Sequence, residues 1–420
     1  MNISEHKLLH TIKIDPTPGL DFTVTGCGDV AKIKVFTDIS STYAEWTTFE
    51  TTAIHTVFQT YSWLSTWQEH IGSKTGTQPQ IIIGYGRDGT PCFILPLAFK
   101  KFGPLRILCY LGCEEASYQI GLYAPKFATS LTQENAIELH HKILAILPKF
   151  HVARFKRQPF EWQGVKNPFA YFTHKTAPSS SYAITLNADY QALYAATRSG
   201  KSRSKILRRE RRLAEHGKIQ IKPCVSDAET TRVLDIMFAQ KEKRFCEQGI
   251  SNFLKKPGVQ DFYRSLCLNT NSKGTRTLGL HYYQCGDQVL AAVLSAPYGT
   301  TEFGLINSMS DGPLRNSSPG LHLLHRDIER LCLQGTQIYD LGVGSHSYKD
   351  LWTDKEHSLF DTIIPMNLMG YVYAYGSRII LRTKRNIKNS KILWPAFVKF
   401  RARLFSIIIT DKCPTVDETI

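Results

Sequence analysis

The chain has 420 residues, which at roughly 150 residues per domain predicts two or three domains. With 42% hydrophobic and 21% charged residues, the composition excludes a disordered or fibrous chain. The net charge of +15 resides in two segments: 201–218 contributes +6, 362–410 contributes +9 without a single acid, and the remainder is neutral.

Residues 1–30 read as a lead-in. A strand follows at Ile33–Phe36, and helical signal runs from about Tyr43 to Ile71 with Phe58, Trp63 and Trp67 prominent. Two apolar runs, 79–86 and 91–100, flank Arg87-Asp-Gly-Thr90, a strong hairpin signal. A strand at 105–111, a helix at about 134–147 and a strand at 152–155 complete the first half. The turn-rich stretch 163–181 marks a boundary.

The second half opens with a strand at 182–186 and helices at about 189–197 and 203–215. A strand at 219–223 and helices at about 228–248 and 257–268 come next. A hairpin (277–284 and 288–296), a strand at 302–308, a helix at 319–334 and a strand at 337–341 follow. Both halves therefore read helices, hairpin, strand, helix, strand. The basic stretch from about 371 to 407 reads as partly helical.

No apolar run approaches the roughly 18 residues of a membrane helix. The N-terminal residues lack the apolar stretch of a signal peptide, so a cytoplasmic protein is expected. The ten cysteines are scattered, with no C-x-x-C, which disfavours disulfides and a zinc ribbon.

Several constellations bear on chemistry. Gly84-Tyr-Gly86-Arg-Asp-Gly89 has dinucleotide-loop spacing but precedes a strand, so a hairpin is the better reading. Ser317-Ser318-Pro319-Gly320 opens a helix with Ser318 as its expected N-cap and Pro319 at its first position. That end could hold a phosphate or simply cap a core helix. Lys241 interrupts a stripe of Leu234, Phe238 and Phe245, beside Arg244. It either pairs, snorkels or serves a ligand. Tyr339-Asp340-Leu-Gly-Val-Gly344 places an acid near a strand end, followed by His346, Tyr348 and Lys349. Such a group can move a proton or cap a turn. The segment 201–213 is a basic helix that could face RNA, a nucleotide's phosphates or solvent. His322 and His325 lack convergent metal-ligating partners in the sequence, and no metal is expected.

Together these stretches resemble a CelD/BcsL-type acyltransferase of the GNAT superfamily, related to the FemABX peptidyltransferases. The matching residues are Phe58-Gln-Thr-Tyr-Ser-Trp63-Leu-Ser-Thr-Trp67, Lys205-Ile-Leu-Arg-Arg209 with Arg212, Leu213 and Gly217, and Lys241-Glu-Lys-Arg244-Phe245 with Gly249. Ser318-Pro319-Gly320, Tyr339-Asp340-Leu-Gly and Tyr348-Lys349-Asp-Leu-Trp352 complete the set. The resemblance implies an α+β fold of tandem GNAT-like domains, each a mixed central sheet flanked by helices. The implied division is a first domain at 31–178, a second at 179–365 and a basic helical tail at 366–420.

The resemblance also implies direct acyl transfer from acetyl-CoA or another acyl-CoA to an amine or hydroxyl, as in envelope polysaccharide or cellulose synthesis. A small molecule or polysaccharide precursor would be the acceptor. The donor's pyrophosphate is expected at Arg315, Ser318 and Gly320. Asp340, Tyr348 and Lys349 are the expected catalytic residues, with Lys241, Arg244 and His346 binding substrate. The FemABX relationship offers a second donor, aminoacyl-tRNA, held by the 201–218 segment. A third reading is a non-catalytic membrane-surface or assembly module. In either of the first two readings the tail could also bring the protein to the inner face of an anionic membrane.

Overall fold

The computed structural model of the chain describes residues 19–390 apart from 113, 271–273, 345–348 and 350, and in addition 393, 396 and 397. His346 and Tyr348 therefore lie outside the described residues, as does most of the tail beyond 390.

Two mixed sheets organise the molecule. The first begins as an antiparallel meander of Leu20–Cys27, Val30–Phe36, Gln78–Gly86, Pro91–Phe102 and Leu105–Tyr110. The helix Gln133–Ile146 then crosses over, and Val152–Pro159 pairs parallel to Leu105–Tyr110. The second sheet repeats this course. Ile219–Pro223, Gly279–Cys285, Gln288–Tyr298 and Thr301–Met309 are antiparallel. The helix Pro319–Leu333 crosses, and Ile338–Val343 pairs parallel to Thr301–Met309. The central hairpin of the first sheet is covered on both faces, with Ile81, Ile82 and Ile83 all fully buried. That coverage explains why the strand is a continuous apolar run rather than an alternating one.

The expected order of hairpin, strand, helix and strand holds in both halves, and Gly84–Gly89 is part of a hairpin as expected. Three details differ. Residues 20–27 of the lead-in form a strand that pairs with Val30–Phe36. The helical stretch from Tyr43 to Ile71 is broken into Tyr43–Phe49, Val57–Gln59, Tyr61–Trp67 and a final wide turn, Gln68–Gly72. The break follows from Thr56 and Thr60, whose side chains accept from the N–H groups of Phe58 and Trp63 and restart the helix each time.

Most consequential is the path of the chain between sheets. Ser181–Thr185 pairs beside Ile338–Val343 in the second sheet. Leu359–Pro365, within the 179–365 stretch, returns to pair with Val152–Pro159 in the first. One apolar core also runs through both halves. Trp63 meets the Phe262 ring edge-on at 5.2 Å, and Phe58 meets Phe303 at 5.4 Å. The aromatic run Phe58–Trp67 thus serves as the joint between the two units.

Candidate active site

The parallel strands Thr301–Met309 and Ile338–Val343 pair only from Thr301–Ile338 to Phe303–Asp340. Beyond that point they part, leaving a fork in the sheet. Gly304 stands at the fork, where an added Cβ would lie 3.4 Å from the Asp340 carbonyl oxygen. Gly342 takes a positive φ of 73° on the other arm, a conformation that disfavours side chains.

Asp340 is buried at the fork. Its carboxylate accepts from the Tyr118 hydroxyl at Oδ2 and from the Gly342 N–H at Oδ1, 2.6 Å. The Ser181 hydroxyl stands 3.4 Å from Oδ1 and 2.5 Å from the Tyr118 hydroxyl. Burial pushes the Asp340 carboxyl up from its usual range, against the pull of Tyr118 and Gly342. Burial and the adjacent carboxylate likewise raise the Tyr118 phenol well above 10. Tyr118 is therefore a neutral donor. Its ring is packed between Trp162 and Phe58, at 5.2 and 6.2 Å.

Lys349 is buried beside this group, and its Nζ donates to the Gly342 carbonyl at 3.0 Å. Burial lowers its ammonium to about 8, while Asp340 pulls the other way. The fork thus holds an enclosed carboxylate, a neutral phenol and an amine that exchanges protons near neutrality.

The mouth of the crossover helix forms a second cluster. Ser318 does not cap it as expected. It adopts a left-handed φ of 59° and its side chain makes no capping bond. Instead Ser318 Oγ accepts from Arg209 Nη1 at 2.9 Å, so the basic helix Gly200–Ala214 is tied to this end. Gly320 faces Met309, with room for only ordinary contact at 3.5 Å from Sδ. Arg315 forms a two-pronged pair with Glu247, both arms at 3.0 Å, and Arg244 reaches the same carboxylate at 3.3 Å. Lys241 is half-buried with its ammonium 4.8 Å from the Phe245 ring, and burial lowers its proton affinity.

Of the expected site residues, Asp340 and Lys349 come together at the fork. Arg315 and Arg244 meet through Glu247 beside the helix mouth that carries Ser318 and Gly320. His322 and His325 turn to different partners, Ser317 carbonyl oxygen and the Tyr190 hydroxyl, and among the described residues no cluster suits a metal ion. Sequence reasoning missed Tyr118, Ser181 and Glu247 as site residues. Tyr118 stands in an irregular segment 222 positions from Asp340, where no local pattern marks it. Arg209 was visible as part of a basic run but not as the partner of Ser318.

Residues 200–350 match the family of the acetyltransferase (GNAT) domain. The match covers the fork, the crossover helix and the basic helix, and it indicates an acyltransferase. With the repeated course of the first sheet, the chain is a tandem of GNAT-like units. Among solved structures it is similar to FemX, at 13% identity over 76% of this chain and 96% of that one, with a TM-score of 0.50. A conserved protein of unknown function from Bacteroides thetaiotaomicron aligns at 10% identity, 79% and 99% coverage and a TM-score of 0.49. A tandem GNAT protein from the clavulanic acid biosynthesis pathway aligns at 9% identity, 78% and 96% coverage and a TM-score of 0.40. No curated protein sequence matches the chain.

Proposed function

We propose that the second GNAT unit transfers an acyl group from an acyl-CoA, acetyl-CoA in the first instance, to an amine or hydroxyl acceptor. The single observation behind this reading is the fork between Thr301–Met309 and Ile338–Val343, with Asp340, Tyr118 and Lys349 gathered at its root. Parted strands leave backbone groups unpaired by the sheet, where the amide arm of a thioester donor can pair.

Donor phosphates fit the mouth of the Pro319–Leu333 helix. Its N-terminal N–H groups and dipole favour an anion, and Arg209 is already turned toward Ser318. Arg315 would leave Glu247 to join them. At the fork, neutral Lys349 takes the proton as the acceptor attacks the thioester carbonyl. A C–N or C–O bond forms, the C–S bond breaks, and the departing thiolate takes that proton back from the Lys349 ammonium. Asp340 holds Tyr118 and the Gly342 turn in place. An acceptor from envelope polysaccharide or cellulose synthesis, as the resemblance to CelD/BcsL-type enzymes implies, is part of this proposal.

The test is calorimetric titration of the full chain with acetyl-CoA, longer acyl-CoAs and free CoA. Saturable binding, weakened about tenfold or more by Arg209→Ala, is expected. No binding of any of them would sink the donor assignment. In an acetyl-transfer assay, Asp340→Asn should lower kcat by about a hundredfold or more with an unchanged melting temperature. Full activity in that variant would remove Asp340 from the chemistry.

One observation favours a second reading, an aminoacyl-tRNA donor. Lys201, Lys205, Arg208 and Arg212 recur at i, i+4, i+7, i+11 and are all exposed on the basic helix, a cationic stripe about 16 Å long. That reading requires RNA binding that weakens steeply with salt. Salt-independent CoA binding without tRNA binding decides against it.

A further inference from the structure

The helix Leu368–Asn389 lies against the strands Leu359–Pro365 and Val152–Pro159 of the first sheet and shows two opposite faces. Its inner face is clamped. An added Cβ at Gly370 would lie 1.9 Å from the His151 carbonyl oxygen, so the helix sits directly on that backbone. Tyr373 takes a 2.5 Å hydrogen bond from Arg154, and Ala374 is buried.

The outer face is apolar and uncovered. Leu368, Val372, Tyr375 and Ile379 fall at i, i+4, i+7 and i+11, one line along the helix, and are between 48% and 80% exposed. Phe102, 65% exposed, is a separate apolar side chain at the inner face, where its ring meets Tyr373 edge-on at 6.1 Å. A continuous exposed apolar strip of this kind marks a contact surface.

The surrounding charge has one sign. Arg378 and Arg382 are exposed along the flank of the strip, Lys101 is exposed next to Phe102, and no acid occurs from 362 to 410. We propose that this face docks on a bilayer surface rich in anionic lipid, with the helix lying in the interface. The aliphatic side chains enter the acyl boundary, the tyrosines lie at headgroup depth, and the arginines meet lipid phosphates. A second copy of the chain fits poorly, because two such faces would oppose like charges. No helix among the described residues is long and apolar enough to cross a membrane, so the contact is peripheral. The proposal does not depend on the acyl-transfer reading.

The test is co-sedimentation of the full chain with phosphatidylcholine vesicles and with vesicles that also contain phosphatidylglycerol. Binding is expected only with phosphatidylglycerol, and Val372→Glu with Ile379→Glu should weaken it about tenfold or more. Should that pair lower the melting temperature, Arg378→Gln with Arg382→Gln, on the exposed flank, should still weaken binding several-fold. Failure to sediment with phosphatidylglycerol vesicles overturns the proposal. So does equal binding by both variant pairs, or a dimer that the glutamates dissociate in a protein that ignores vesicles.

Discussion

Lys349 and Arg198 show what burial does to single cations. Lys349 titrates near 8 in the fold and near 10.5 in an unfolded chain. Its contribution to stability is complete above about 10.5 and is lost as the pH falls to about 8. Lys349→Met should therefore melt higher than the parent at pH 7, and the gap should narrow toward pH 10. A gap independent of pH would show that the ammonium is not desolvated. In the acetyl-transfer assay the rate should fall on the acid side of about pH 8, as Lys349 becomes protonated.

Arg198 is buried with its guanidinium 4.8 Å from the Trp352 ring. Its Nε and Nη2 have no hydrogen-bond partner among the described residues. Buried donors without an acceptor cost stability, so Arg198→Met should raise stability by about 1–3 kcal/mol, read by urea denaturation. A loss instead would mean that the guanidinium is paired in solution.

The elements of each unit were largely legible because they rest on local physics. Asp88-Gly89 with apolar flanks specifies its hairpin, and the helix over 319–334 ends at Gly335 with its positive φ of 75°. The joints between elements were not legible. Gly258 stands before the helix Val259–Leu268 at a φ of 78°, and an added Cβ would lie 1.8 Å from the His70 carbonyl oxygen on the other unit. Gly258→Ala should destabilise the chain by at least about 2 kcal/mol, measured by chemical denaturation. A neutral effect would show that the units do not touch there. Ser318 makes the same point from the other side: Ser-Pro-Gly spacing predicts a cap, yet the chain enters the helix with Ser318 in the left-handed region, and the side chain turns to Arg209.

At the scale of the molecule, the first sheet holds a strand that the chain order would assign to the second. Leu359–Pro365 returns to close the flank of Val152–Pro159, while Ser181–Thr185 closes that of Ile338–Val343 within its own unit. The shared core from Trp63 to Phe303 adds to this coupling. The two units should unfold in one cooperative transition, with calorimetric and van't Hoff enthalpies equal. Two resolved transitions would refute it. A chain ending at residue 358 should be aggregation-prone, because Val152–Pro159 would lose its neighbour and become an open edge.

Periodicity, turn residues and charge runs act over a few positions, and they determined the repeated element order and the two basic segments, while the family resemblance implied the tandem fold. They also marked Asp340 and Lys349 as candidates. Only the folded chain decided that Tyr118 meets Asp340, that Glu247 joins Arg315 to Arg244, and that one face of the tail helix stays uncovered. The reason is distance along the chain and burial. Contacts between residues more than two hundred positions apart leave no local pattern, and the acid–base character of Lys349 exists only once the second sheet has closed over it.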